Sequence, residues 1–446
     1  MFENIIAQSA VLQLGGDILS RRIAPSMLFY GPGESGKGSS ALELSRVLSC
    51  EDAAAWKCAC PSCDRHRYLL HDDLLILGNR NFSAEIAASC SAFLRNQTVI
   101  SAKLLFFRSL RKLQIRFSPA VLEDDSKMIK LSSLLFSFDE KLNELLVYDP
   151  EASDKIPKDT LEKLCISLTE DALKLEKEGI SANLPISHVR SASSWCRYAP
   201  NGKRKLLLIE NAENMRGEAC NALLKLLEEP PDDVCIVMTA KRREAIIPTI
   251  RSRLRQYRFL KRDAENEEKV IRLVFRDTID MNKLKTKNSL ITAYLESFAP
   301  QSTEKMYPLA AWFIVSMARI IAVCIKKTRV EIPAIISAIG ERYAQTAETL
   351  NLERAVKSDT VIKIILAQTG NFEDDSFSRF MKLCVDMIGE VTIRSNESRY
   401  IAYNDLFKKY ITEAVTAVDV LYIKESTALE ALFYNIKKAV KEGRNG

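Results

Sequence analysis

The chain has 446 residues, enough for roughly three domains of about 150 residues each. Hydrophobic residues make up 47% and charged residues 27%, with only 15 glycines and 14 prolines, which excludes collagen-like, low-complexity and disulfide-dependent miniature classes. Lys+Arg total 64 against 58 Asp+Glu, and the net charge of +6 is too small for a global basic field, so a nucleic acid would have to meet a local patch.

Residues 1–49 read as helix, strand, loop and helix. The start, MFENIIAQSAVLQLGGD, lacks a basic stretch followed by an apolar run, so no signal peptide is expected. The short apolar run Met27–Tyr30 stops at Gly31-Pro-Gly33-Glu-Ser-Gly36-Lys37-Gly38. This is G-x-x-x-x-G-K between a strand and a helix, the context in which the pattern cradles phosphate. The glycines let backbone N–H groups turn toward phosphate oxygens, the helix N-terminus adds partial positive charge, and Lys37 can reach the β/γ-phosphates. Position 38 is Gly where the pattern carries the Ser or Thr that ligates Mg²⁺. Ser39 lies about 100° further round the helix and is expected to point elsewhere. A glycine-rich turn with an unrelated lysine is the alternative reading.

Eleven cysteines are present, four of them in Cys50-x7-Cys58-x-Cys60-x2-Cys63. Four thiols in 14 residues read as a closed, structural Cys₄ zinc site in a reducing, cytoplasmic compartment rather than a disulfide framework. Cys58-x-Cys60 is a tight chelate, and His66 is a substitute ligand should one of that pair not reach. The other seven, Cys90, Cys165, Cys196, Cys220, Cys235, Cys324 and Cys384, read as small core residues.

Leu74–Leu77, Leu206–Ile209 and Val234–Met238 read as further buried strands. Continuous apolar strands alternating with helices predict a parallel sheet covered on both faces. Between the second and third strands lie about 100 helical residues, 82–183, which read as an insertion. Its basic residues Lys103, Arg108, Arg111, Lys112 and Arg116 are either phosphate contacts or the solvated face of an amphipathic helix. From about 262 onward the periodicity is helical throughout. The most apolar window, Pro308–Ile325, contains Arg319. A mid-membrane Arg costs about 2.5–3.5 kcal/mol, so a buried helix is expected and no membrane contact.

The run Asn221-Ala-Leu-Leu-Lys-Leu-Leu-Glu-Glu-Pro-Pro231 and the run Pro248-Thr-Ile-Arg-Ser252-Arg253 resemble the bacterial DNA polymerase III clamp-loader family of AAA+ proteins, the delta-prime subunits most of all. Phe2–Gln8, His71-Asp72-Asp73-Leu74 and the position of the cysteine cluster agree. The matches cover about 1–80 and 186–260; residues 82–183 match nothing in the family.

The resemblance implies an α/β AAA+ P-loop domain over 1–261, with a zinc module at 50–63 and the helical insertion, then an all-α lid at 262–303 and an all-α collar at 304–446. It implies a hetero-pentameric ring with other clamp-loader subunits, which opens the sliding clamp and loads it on primer–template DNA through phosphate contacts. Lys241, Arg242 and Arg243 are candidates for those contacts. In hydrolysing members a strand-end Asp holds Mg²⁺ and the next Glu orients the attacking water; here Glu210 and Asn211 stand at those positions. An amide cannot act as a general base, a loss worth about 10²–10⁴-fold. No arginine that would sense the γ-phosphate is recognisable at the lid.

Zn²⁺ is therefore the expected structural ion, while ATP/Mg²⁺ is in doubt, and the chain is expected to serve the polymerase holoenzyme with little ATPase of its own. Thr239, after the fourth strand, falls near the family's sensor position. Ser252-Arg253 matches the family's Ser-Arg-Cys motif with Leu254 for Cys, and implies that Arg253 is an arginine finger for a neighbour's nucleotide. An ATP-hydrolysing gamma/tau-like subunit is the alternative. A zinc-bearing adaptor with a vestigial ATPase core, whose insertion docks another partner, is the second.

Overall fold

A computed structural model describes residues 1–122, 126–150, 157–181, 183–215, 217–278, 289–298, 303–324, 357–368, 376–395, 398–419 and 423–442. The chain divides into two compact units, Met1–Pro300 and Gln301–Gly446.

The first unit is α/β. Strands β1 (Ser26–Tyr30), β2 (Leu74–Gly78), β3 (Lys205–Glu210), β4 (Val234–Ala240) and β5 (Arg255–Arg258) form one sheet in the order β2-β3-β4-β1-β5. Every pairing is parallel. The four apolar strands are buried almost throughout, as runs covered on both faces must be. β5 is the strand that sequence reasoning missed. It is an edge strand of sequence Arg-Gln-Tyr-Arg in which only Tyr257 is buried, so it carries no apolar run. Tyr257 packs edge-on against Phe29 at 5.6 Å between ring centres.

A parallel sheet brings all its C-terminal strand ends to one edge, so the loops after β1, β2, β3 and β4 meet there. At that edge Gly78 has φ +123°, and a Cβ on it would collide with the backbone carbonyl of Glu210 on the neighbouring strand. Gly78→Ala is therefore expected to destabilise the chain by on the order of 3 kcal/mol, read by urea denaturation. A loss below about 1 kcal/mol would mean that the strand end shifts freely.

The 82–183 stretch folds as helices α1 (Ser83–Arg95), α2 (Ile100–Ile115), α3 (Pro119–Leu122), α4 (Ser126–Val147) and α5 (Lys158–Gly179). Phe93, Phe106, Leu110, Phe138 and Leu168 from this stretch belong to the same hydrophobic core as the sheet. The insertion thus shares the sheet's core rather than forming a separate lobe. Two further helices, α6 (Ala264–Val274) and α7 (Leu290–Glu296), build a small cluster in which Ile271, Phe275 and Tyr294 pack with Ala88 and Ala92 of α1.

The second unit is all-helical among the described residues. Its helices are α8 (Thr303–Cys324), α9 (Ser358–Gln368), α10 (Ser376–Ser395), α11 (Ser398–Asp419) and α12 (Glu425–Glu442). Phe313 is its pivot, with the rings of Phe380 and Phe433 at 5.6 and 5.8 Å. The apolar window around Trp312 and Phe313 is spent on this core, as expected of a buried helix. Among the described residues no helix is long and apolar enough to cross a membrane.

Candidate metal centre and phosphate loop

The helix Lys37–Ser49 and the short helix Pro61–Arg67 bracket the cysteine cluster. The Sγ atoms of Cys50, Cys58, Cys60 and Cys63 all lie within 4.8 Å of one another. A tetrahedral Zn²⁺ with Zn–S bonds near 2.3 Å sets its sulfurs about 3.8 Å apart. Cys50 Sγ lies 3.7 Å from Cys58 Sγ and 3.9 Å from Cys60 Sγ, so the donor set fits a Zn²⁺ ion, which would cross-link the loop to both helices. Both members of the tight Cys58-x-Cys60 chelate reach.

His66 is not part of the cluster. It is buried and stacks on His71 at 4.1 Å between ring centres. The supports of the module are local to it. Arg46 donates to Cys63 Sγ at 3.0 Å and is held by Glu43 at 2.7 Å. Lys203 donates to the Cys50 carbonyl at 2.6 Å, and Ser62 bridges the Ser49 carbonyl and His71 Nε2. Asp73, buried beside them, accepts the backbone N–H groups of Asn201 and Gly202 just ahead of β3. Of the other cysteines, Cys90, Cys165, Cys196, Cys220, Cys235 and Cys384 are buried free thiols, and the Cys324 side chain lies outside the described residues.

The phosphate loop stands at the sheet's C-terminal edge, between β1 and the helix that Lys37 opens. Gly36 caps that helix with φ +92°, a conformation natural to glycine. Lys37 Nζ turns back into the loop, donating to the carbonyl of Gly31 at 2.7 Å, to that of Pro32 and to Ser35 Oγ. Burial pulls its ammonium down to about 8. Gly33 and Ser39 are exposed. Arg262, beyond β5, donates to the carbonyls of Ile6 at 2.9 Å and Glu34 at 2.5 Å and so ties the N-terminal stretch to the loop.

Glu210 ends β3 and faces Gly38: a Cβ at Gly38 would come 3.0 Å from Glu210 Oε1 and 3.5 Å from Arg80 Nη1. The carboxylate is buried and doubly paired, Oε1 with Arg80 at 3.2 Å and Oε2 with Arg116 at 2.5 Å. Burial alone would raise this carboxyl, but Arg80 and Arg116, with Lys112 further out, hold it below the usual carboxylate range. The neighbouring Asn211 adopts φ +52°, and its N–H donates to Thr239 Oγ1 at 3.2 Å. Thr239 is buried on β4. The edge thus brings together Lys37, Gly38, Glu210, Asn211 and Thr239. These residues do not fit a Mg²⁺ site. The hydroxyl ligand is missing, and the remaining carboxylate already carries two guanidinium groups.

Arg253 does not join this cluster. It follows the short helix Pro248–Arg251, where Nη2 pairs with Glu228 at 2.6 Å and Nη1 donates to the Thr249 carbonyl at 2.6 Å. Its side chain is about one-third exposed, while Leu254 next to it is buried in the core.

The basic residues of the insertion are neither a phosphate-tracking surface nor a solvated face. Lys103 is buried on the carbonyls of Leu146 and Tyr148. Arg108 donates to the carbonyls of His66 and Arg67, and Arg111 to that of Leu69. Lys112 pairs with Glu85, and Arg116 holds both Glu210 and the Gly78 carbonyl. Arg108, Arg111 and Arg116 fasten α2 to the α/β core, and Lys103 and Lys112 tie the insertion's own helices together, because buried backbone carbonyls and carboxylates need donors and these long side chains supply them. Arg80, Arg116 and Arg262 are the site residues that sequence reasoning missed or misread. A basic cavity lies instead beside Gly31 and Pro32 of the glycine-rich loop. It measures about 590 Å³, stands between the ends of β1, β4 and β5, and is lined by Lys241, Arg242, Arg243, Arg258 and Lys261, with Glu244 beside them.

The family profile described as DNA polymerase III, delta subunit, matches residues 140–263, just over a quarter of the chain. It begins inside the 82–183 stretch, which is therefore not wholly foreign to the family. A DNA polymerase III subunit delta' from Pseudomonas aeruginosa is 37% identical over 84 residues, 19% of this chain and 26% of that protein. A DNA polymerase III subunit gamma/tau from Mycobacterium tuberculosis is 28% identical over 99 residues, 21% of this chain and 17% of that one. A solved DNA polymerase III gamma subunit-related protein from Thermotoga maritima aligns with 58% of this chain and 81% of its own at 17% identity, with a TM-score of 0.28. The chain spans about a quarter or less of the length of the curated relatives it matches. The matched segment, residues 140–263, resembles the DNA polymerase III clamp-loader family.

Proposed function

We propose that this chain is a delta-prime-like, non-hydrolysing subunit of a DNA polymerase III clamp loader. In this reading it joins a ring of related subunits, helps load the sliding clamp on primed DNA, and offers Arg253 to the nucleotide of a neighbour. The observation that carries the reading is the state of Glu210. Its carboxylate stands at the end of β3, and Arg80 and Arg116 hold both of its oxygens. Asn211 cannot take a proton from water, and Gly38 offers no oxygen to a metal. Each departure alone removes part of a hydrolytic site; together they remove the base and both metal ligands.

Arg253 supports the second half of the reading, since its guanidinium is accessible and is held by a surface carboxylate that a better-placed anion could displace. The cations of the cavity at Lys241–Arg243 are the surface best suited to a DNA backbone, which is recognised through phosphates. Zn²⁺ in the four-thiol cluster would serve folding alone, because four protein ligands leave no open position.

A gamma/tau-like motor is the rival within the family. The two separate when the purified chain is incubated with ATP, sliding clamp and primed DNA. No turnover above the no-protein control is expected. Sustained hydrolysis by this chain alone would sink the proposal.

A further inference from the structure

The 82–183 stretch and the phosphate loop meet at one carboxylate. Arg116 lies just past the C-terminal end of α2, inside the insertion, and reaches Glu210 across 94 residues of sequence. The same guanidinium donates to the Gly78 carbonyl at the end of β2. Arg80, in the loop after β2, takes the other Glu210 oxygen and also pairs with Glu85 of α1 at 2.8 Å. Lys112 of α2 completes the group on Glu85. Both guanidinium groups lie against the ring of Phe82, 5.3 Å from its centre for Arg80 and 4.9 Å for Arg116. Three cations thus pair with two carboxylates, and Glu176 and Glu34 lie near enough to act on Arg116 and Arg80 in turn.

Gly38 belongs to this arrangement. A Cβ there would come within 3.0 Å of Glu210 Oε1, a tight approach, and into ordinary contact with the Arg80 guanidinium. The missing hydroxyl and the arginine pair thus meet at the same carboxylate.

We propose that Arg80 and Arg116 stand in for the divalent cation at Glu210, so that the anchoring of the insertion and the binding of a metal at the phosphate loop exclude one another. A dication at Glu210 would have to displace both guanidinium groups. Displacing Arg116 would release the C-terminal end of α2 from Gly78 and Glu210 together. By reciprocity, whatever loosens the insertion opens the carboxylate to metal. The inference does not depend on which complex the chain joins, and its failure would leave the ATPase test above unaffected.

The test uses the full-length, zinc-loaded chain and Mn²⁺ alone as the probe, followed by paramagnetic resonance. Mn²⁺ binding that depends on Glu210 is defined by its loss in Glu210→Gln. Wild type is expected to show none at millimolar Mn²⁺. The Arg80→Ala/Arg116→Ala double variant is expected to gain a site at least about tenfold tighter, since two positive charges beside the carboxylate are gone. Adding Glu210→Gln to the double variant should abolish that gain. Amide exchange across 83–122 should rise in the double variant. Should the double variant fail to fold, Arg80→Gln carries the test, since Arg80 is the more exposed of the two and its loss leaves Arg116 in place. It should gain Glu210-dependent binding of the same sign. Equal Mn²⁺ affinity in wild type and in the folded variants would overturn the proposal. So would Glu210-dependent binding to wild type with amide exchange across 83–122 unchanged.

Discussion

Arg253→Ala is expected to lower the ATPase rate of the assembled clamp-loading complex by about 10³-fold, the lower end of what an arginine finger supplies. The physical reason is that a guanidinium aimed at a transferring phosphoryl group neutralises charge that develops only in the transition state. This subunit should remain folded. Arg253 makes one surface ion pair, with Glu228, and one bond to the Thr249 carbonyl. Exposed pairs of that kind contribute about 0–1 kcal/mol. The packing at this position comes from Leu254 and Ile250, which the substitution leaves alone. Arg253→Lys should recover little, because an ammonium cannot reproduce the planar fork. The measurement is steady-state turnover of the reconstituted complex beside a thermal melt of the isolated variant. Unchanged turnover removes the finger assignment; a collapsed melt would instead make Arg253 a structural residue.

The second large effect concerns the four-thiol cluster. The chain is expected to purify with one zinc, and Cys63→Ser to lose it. Cys63 is fully buried, and its sulfur also takes a bond from Arg46. Structural zinc contributes on the order of 10 kcal/mol to the folding of small metal-bearing modules. Its loss should therefore unfold the 50–67 segment. The sheet should survive, because its strands are held by their own ladders and by an apolar core that contains none of the four cysteines. Metal analysis and amide exchange over 50–67, with and without chelator, check both halves. A chain that carries no metal, with exchange at 50–67 indifferent to chelator, would show that the cysteines pack as plain thiols.

Much of this molecule could be read one residue after another. Leu74–Leu77, Leu206–Ile209 and Val234–Met238 announce buried strands because parallel strands need apolar side chains on both faces. The phosphate loop is legible because its glycines and Lys37 sit at fixed offsets. The cysteine cluster is legible because chelation by neighbours in sequence imposes a short spacing. That Asn211 stands where a base would be is what the resemblance implies, counted from the run Asn221–Pro231. β5 escaped because an exposed edge strand with alternating arginines resembles a solvated basic run until its partner strand is known.

Composition, periodicity and spacing thus determined the α/β class, the helical second unit and the four-thiol donor set, since each is a property of residues close together in the chain. Only the tertiary structure decided what the charges do. Arg116 looked like a surface cation and is instead locked to Glu210, while Gly38 looked like a lost ligand and lies against the same carboxylate. An ion pair between residues 94 positions apart leaves no local signature, because its energy depends on distance and burial, which the fold alone sets.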